Sequence, residues 1–216
     1  VEPTYLDALG KGRVIVVTNP TTATTSVVLS RLTIRNGTSQ PGDHGGGIYV
    51  NEDVDLRMDE IELHDNHAGV GGYGGGLYNH GGSRVTLARV EIVSNTATYG
   101  GGFYNAGTTT TISPTYFLSN GATQDGGALY NADSADVSLG AATVLSNSAA
   151  YGGGLYNATT GALTLTNSLV VSNTATGNGG GLYNLSPDLI VRHDTFYANA
   201  AQKGAAIYHD ANDATA

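Results

Sequence analysis

The 216-residue sequence contains no cysteine, no tryptophan, a single methionine and only three phenylalanines. Without cysteine there is no disulfide framework, no thiolate metal site and no cysteine nucleophile. Only 12% of the residues are charged, about half of the usual share. Apolar runs are short, and none approaches the about 18 residues that a membrane-spanning helix requires. The sequence therefore predicts no transmembrane helix.

Positive charge is also scarce, and this bears on possible partners. Nine lysines and arginines stand against 18 aspartates and glutamates, which gives a net charge of −9. Because nucleic acid is bound by clustered basic side chains, we expect no nucleic-acid partner. The chain starts at Val1 without a methionine or a basic leader, so we expect a mature chain or a fragment, which is compatible with export.

The sequence is rich in glycine, with 32 residues, and in tyrosine, with 13, and much of both follows an internal repeat. The hexad Gly-Gly-Gly-Leu-Tyr-Asn occurs unchanged at 74–79, 152–157 and 179–184, and with one substitution at 100–105 and 126–131. Diverged copies lie at 45–50 and 204–209. Successive hexad tyrosines are 25 to 29 residues apart: Tyr49, Tyr78, Tyr104, Tyr130, Tyr156, Tyr183 and Tyr208.

A second marker runs in step with the hexads and ends in asparagine, as in Val-Glu-Ile-Val-Ser-Asn at 90–95. A further pair of apolar residues precedes most copies, so each repeat holds three short alternating segments separated by turn residues. Three strands in about 26 residues predict one turn of a right-handed, single-stranded parallel β-helix. We therefore predict an all-β fold of about eight turns. The predicted single domain, 1–216, has an irregular N-terminal turn at 1–26, regular repeats at 27–210 and a tail at 211–216.

The paired motifs G-G-G-[LI]-Y-N and [VIL]-x-[VIL]-x-S-N-T-A resemble bacterial surface β-helix repeats. They are similar to the repeats of polymorphic outer membrane proteins and related secreted β-helix proteins, over residues 27–210. The resemblance implies an exported, cell-surface or extracellular protein with a role in adhesion or scaffolding. Carbohydrate lyases share the broader fold, but no lyase motif is recognisable here.

One outer face is expected to change character along the rod. Counted back from each marker asparagine, the third residue should point inward and the second and fourth outward. Early turns then present Arg35, Glu62, His64 and Glu91. Later turns present an apolar strip, which we expect to be a contact surface unless a loop or a flanking segment covers it. The apolar strip comprises Val93, Tyr116, Leu118, Leu145, Leu169, Val171 and Tyr197.

The hexad tyrosines should form a second outward column, with rings about 4.8 Å apart along the stack of strands. We interpret this column as a cross-strand aromatic ladder that stabilises the sheet. The functional alternative is an aromatic platform for sugar rings or for another protein.

Seven of the 18 acidic residues lie between 52 and 65, which first suggests a calcium site. The repeat alignment instead supplies cationic partners, because Arg31, Glu60 and Arg89 share one column and Asp55 shares another with Arg84. Opposite charges on neighbouring strands are ordinary sheet stabilisation. We therefore predict no metal site and no cofactor.

Glu62 and Glu91 share a column without a basic residue, and His64 and Arg35 lie beside it. Two carboxylates about 5 Å apart match the spacing in a retaining glycosidase. These four residues are the best catalytic candidates in the chain, although the sequence favours a protein that is not an enzyme.

The sequence thus predicts an extracellular or cell-surface β-solenoid with a structural or adhesive role. We expect the chain to associate with itself, end to end or through the apolar strip, or with other surface proteins, and glycans are a further candidate partner. No segment resembles a capping helix, so two expectations stay open: a fragment of a longer protein, or copies stacked head to tail into a filament or surface layer. The alternative function is a carbohydrate-binding or carbohydrate-active protein that uses the Glu62 and Glu91 face.

Overall fold

The computed structural model describes residues 4–20, 23–132 and 134–210. In these residues the chain forms 25 strands and no helix, and the strands pair in parallel. The sheets stack as a β-solenoid of about eight turns with about 27 residues in each turn. The predicted fold class is therefore confirmed. The predicted tail, 211–216, lies outside the described residues.

The largest sheet has 13 strands and bends once in each turn, so that it has two arms. Two long strands run through both arms: β3 (Thr25–Arg35) and β5 (Val54–His64). The first arm continues with β7 (Arg84–Ala88), β11 (Thr109–Ile112), β15 (Asp136–Gly140), β19 (Leu163–Thr166) and β23 (Leu189–Arg192). The second arm contains β1 (Thr4–Asp7), β8 (Val90–Val93), β12 (Thr115–Leu118), β16 (Thr143–Leu145), β20 (Leu169–Val171) and β24 (Thr195–Tyr197).

Two smaller sheets complete the solenoid. The hexad sheet has eight strands, one from each hexad and one before the first. Its members are β2 (Ile15–Val17), β4 (Ile48–Val50), β6 (Leu77–Asn79), β10 (Phe103–Asn105), β14 (Leu129–Asn131), β18 (Leu155–Asn157), β22 (Leu182–Asn184) and β25 (Ile207–His209). The short sheet consists of β9 (Thr96–Ala97), β13 (Gly121–Ala122), β17 (Ser148–Ala149) and β21 (Thr174–Ala175).

The corners of the solenoid are made by residues in the left-handed backbone region. Arg31, Glu60 and Arg89, with φ between 52° and 56°, separate the two arms in successive turns. Each hexad begins with a glycine at positive φ, as at Gly152 (φ 62°), where a Cβ would collide with the Leu155 carbonyl. This close approach explains why the first hexad position is glycine.

The interior is a stack of equivalent apolar side chains. Leu63, Ile92, Phe117, Val144 and Val170, each the third residue before a marker asparagine, have no exposed surface. Each lies in register with its neighbour in the next turn. The predicted inward direction of this column is confirmed, and the outward positions on either side follow from it.

Two buried asparagine ladders accompany this core. In the marker ladder, each side-chain amide donates to the amide oxygen of the next turn over 2.9–3.1 Å. In the hexad ladder the corresponding distances are 2.7–3.0 Å. The marker ladder comprises Asn66, Asn95, Asn120, Asn147, Asn173 and Asn199, and the hexad ladder comprises Asn79, Asn105, Asn131, Asn157 and Asn184. Both ladders give buried polar groups partners in the next turn.

The N-terminal segment is more regular than the sequence suggests. Within 1–26, interpreted from the sequence as an irregular turn, strand β1 pairs in register with the second half of β3. Strand β2 pairs with β4 in the hexad sheet. Within the described residues, parallel strand pairing is therefore already present from Thr4 onward.

Candidate functional site

The apolar strip lies on the outer surface of the second arm. Two columns form it, one running through Tyr116 and Leu169 and the other from Val93 through Leu118 to Tyr197. Tyr116 is 44% exposed, Leu169 41% and Tyr197 70%. Val93, Leu118, Leu145 and Val171 are half-buried by their neighbours above and below. The structure thus places all seven residues on one surface.

The same columns are polar at their N-terminal end. Thr33, Glu62 and Glu91 precede Tyr116 in one column. Arg35 and His64 precede Val93 in the other. In the column of Tyr116 and Leu169, the remaining outward residues are two threonines, Thr143 and Thr195. The outer face of the second arm therefore passes from a charged half to an uncharged half.

The hexad tyrosines form one continuous stack. Six successive ring pairs lie with centroids 4.7–5.6 Å apart and planes within 18° of each other. Burial, with Tyr49 and Tyr73 nearby, raises the pKa of Tyr78 to about 12. Because stacked rings cover each other's faces, the ladder presents mainly ring edges and hydroxyl groups to solvent. This geometry favours a stabilising ladder over a platform on which sugar rings would stack.

A second aromatic column, which sequence reasoning missed, stands beside the ladder. It consists of the residue immediately before the first glycine of each hexad, and that constant position is the signal that would have revealed it. His44 stacks on Tyr73 at 4.4 Å, and Tyr73 meets Tyr99 edge-on at 5.2 Å. Asp125 is the next residue in this column, and its backbone forms a parallel β-bridge with Tyr151 in the following turn. Burial raises the pKa of the Asp125 carboxyl to about 6.

Arg31, Glu60 and Arg89, at the corner between the two arms, form the charged column that the sequence predicts. Glu60 accepts from Arg31 Nε at 2.9 Å and lies 3.5 Å from Arg89 Nε, and Arg89 also pairs with Asp59. The hydrogen bond and charge of Arg31, followed by the charge of Arg89, hold the pKa of the exposed Glu60 carboxyl below its usual value. In the described part of the chain, no group of three or more His, Asp or Glu side chains is arranged to hold a metal ion.

Asp55 lies opposite Arg84 in register, as the repeat alignment indicated. Its carboxylate nevertheless approaches Arg57 on the same strand, with Oδ2 at 3.8 Å from Nη2. A shared column therefore does not decide which side chains form the ion pair.

The four catalytic candidates separate into two pairs. Glu62 and Glu91 are direct register partners, and both line an open cleft of about 740 Å³ beside Arg31 and Arg89. Thr33 Oγ1 donates to Glu62 Oε2 over 3.2 Å. The sequence did not reveal this cleft.

Arg35 and His64 have other partners. Arg35 Nε binds Asp7 Oδ2 at 2.8 Å, and its guanidinium lies 4.5 Å above the Tyr5 ring. His64 Nδ1 lies 2.8 Å from Asp65 Oδ2. Neither side chain lines the cleft that contains Glu62 and Glu91, so the structure does not bring the four candidates together.

Comparison with known proteins locates a family repeat in this chain. The family model of the Chlamydia polymorphic membrane protein repeat matches residues 114–132. This segment contains β12, one marker asparagine and one hexad. No curated protein and no solved structure gives a significant match. The repeat match and the parallel β-solenoid together fit a bacterial surface β-helix repeat protein.

Proposed function

We propose that this protein is an exported, cell-surface β-solenoid with a structural and adhesive role. The polymorphic membrane protein repeat and the solenoid fold give coarse support for a bacterial surface location. The role itself rests on one observation, the apolar strip on the second arm. A contiguous exposed apolar surface is uncommon on a soluble monomer and marks a contact site.

The structural part of the proposal follows from the ladders. Asparagine amides and tyrosine rings connect each turn to the next along the described repeats. A rod built in this way holds its outer columns at fixed spacing without disulfide bonds. The uncharged half of the second arm is thereby a rigid surface, which lowers the entropic cost of binding.

The adhesive role is tested with beads that carry the purified chain. We expect the beads to attach to cultured epithelial cells, to each other, or to both. The triple variant Tyr116→Ser, Leu169→Ser and Tyr197→Ser removes the three most exposed residues of the strip and should abolish attachment. Val28→Ser is the matched control, because Val28 is 65% exposed on the first arm.

The outcomes separate the possible partners. Attachment to cells that depends on the strip indicates another surface molecule as the partner. Clumping of beads that depends on the strip indicates self-association. Beads that neither attach nor clump, or a triple variant that behaves like Val28→Ser, would overturn the proposal.

A second function is favoured by the cleft beside Glu62 and Glu91. Glu62 and Glu91 lie side by side in a cleft of about 740 Å³, whose two arginines are paired with Glu60 and Asp59, and two neighbouring carboxylates in a cleft are the arrangement that hydrolysis of polysaccharides uses. Incubation with such polysaccharides and measurement of new reducing ends tests hydrolysis. Turnover that Glu91→Gln leaves unchanged would remove this pair from the reaction, and absence of turnover would remove the function.

A further inference from the structure

A separate cleft of about 410 Å³ lies near the C-terminal end of the described chain. Three successive turns line it, with Tyr151 in the first, Gly177 and Asn178 in the second, and Gln202 and Lys203 in the third. Its volume lies within the range of small-ligand sites. The cleft is distant in sequence from both the charged half of the second arm and the cleft at Glu62.

The Tyr151 ring is arranged differently from the hexad tyrosines. It meets Tyr183 edge-on at 5.5 Å and is 42% exposed. Gly177 lies against it, so that a Cβ at Gly177 would come within 2.6 Å of Tyr151 Cε1. The turn 174–179 is one residue longer than the turn 148–152, and Gly177 lies in this longer turn. The ring thus forms one wall of the cleft.

The polar groups of the cleft include donors and acceptors that the described residues leave available. Gln202 Nε2 donates to the Thr176 carbonyl at 2.8 Å, and its Oε1 accepts no hydrogen bond from a described residue. Lys203 is exposed and forms no ion pair with an acidic side chain in the described ranges. The Asn178 amide forms no side-chain hydrogen bond there.

We infer that this cleft binds an anionic sugar unit. The C–H face of the sugar packs on the exposed Tyr151 ring, and its hydroxyl groups bond to the amides of Asn178 and Gln202. Its carboxylate pairs with the Lys203 ammonium. A single lysine supplies one point charge, which suits a monoanionic group. This inference goes beyond the structural and adhesive role and does not depend on it.

The test is a titration of the ¹⁵N-labelled chain with D-glucuronate, followed by amide chemical shifts at low salt. We expect saturable shifts at 150–151, 176–178 and 202–203 with a dissociation constant of about 1 mM. Neutral D-glucose should bind about tenfold more weakly, because it lacks the carboxylate that pairs with Lys203.

Two variants and one control identify the groups involved. Lys203→Gln should weaken glucuronate binding about tenfold and leave glucose binding unchanged. Gly177→Ala keeps the charge but displaces the Tyr151 ring, so it should weaken binding of both sugars. Arg192→Gln removes a basic side chain outside the cleft and should have no effect.

Three outcomes would overturn the inference: no saturable shift, equal affinity for both sugars, or equal effects of Lys203→Gln and Arg192→Gln. The adhesion variants leave this cleft untouched. Their triple variant should therefore still bind glucuronate even if it no longer attaches to cells.

Discussion

Asn147 offers the strongest test of how the turns are connected. It lies in the middle of the marker ladder and is 1% exposed. Its amide nitrogen donates to the Phe117 carbonyl at 3.0 Å and to Asn173 Oδ1 at 2.9 Å. Its Oδ1 accepts from both the main-chain and the side-chain nitrogens of Asn120, at 2.8 and 3.0 Å. Replacement by alanine therefore breaks connections to both neighbouring turns.

The expected cost follows from the groups left without a partner. In Asn147→Ala the buried main-chain N–H of Asn120 loses its acceptor, which costs about 1–3 kcal/mol. The lost side-chain bonds add about 0.5–1.5 kcal/mol each. With three such bonds lost, the free energy of unfolding falls by about 3–7 kcal/mol. For a chain of this length the melting temperature should fall by roughly 10–20 °C. Urea and thermal unfolding followed by circular dichroism measure both quantities.

Two control variants make the interpretation refutable. Ser148→Ala changes the next residue, whose side chain is exposed, and should alter stability by less than about 0.5 kcal/mol. Asn199→Ala removes the last member of the ladder, which is half-buried and has a ladder partner on one side only, and should cost less than Asn147→Ala. If all three variants lose the same stability, the ladder is not what holds the turns together.

Three further predictions concern backbone strain and titration. Gly152→Ala should lower the free energy of unfolding by about 1–2 kcal/mol or more, because φ is 62° there. Gly154→Ala should lower it less, since Ala128 naturally occupies the same hexad position. Chemical denaturation of the two variants compares these free energies. For Asp125, a raised pKa of about 6 means that the folded state holds its proton more tightly, so this group's contribution to stability falls as pH rises from about 4 to 6. Asp125→Asn should therefore raise the melting temperature at pH 7 and change it little at pH 4. In a spectrophotometric titration, Tyr78→Phe should remove a phenol that ionises near pH 12.

Much of the fold could be predicted because the repeat specifies both the length of each turn and the direction in which each side chain points. A side chain in a strand has only two faces to choose between, so one buried column, such as that of Ile92, fixes the neighbouring ones. The charged corner column of Arg31, Glu60 and Arg89 was predictable for the same reason. Residues at equivalent positions in parallel turns must lie about 4.8 Å apart.

The candidate site was harder to predict, since its features arise from departures from the repeat. Arg35 is paired with Asp7, which lies in a strand that carries no recognisable motif. The cleft at Glu62 lies against a left-handed corner, and alternation of apolar and polar residues does not reveal such a bend. The direction of each side chain was therefore predictable from the sequence, while the clefts of the surface and the long-range ion pairs were not.

Identical columns also explain where binding chemistry can arise on this molecule. Where neighbours are alike, as in the hexad tyrosines, each ring occupies the faces of the next and little remains for a ligand. The column before the hexad glycines is different. After Tyr99 it continues with Asp125, Tyr151, Asn178 and Lys203, whose side chains cannot satisfy one another by stacking. A charged or aromatic group left unmatched in such a column must find its partner in solvent or in a ligand. The regular columns thus stabilise the rod, and the irregular one lines the cleft for which we infer a ligand.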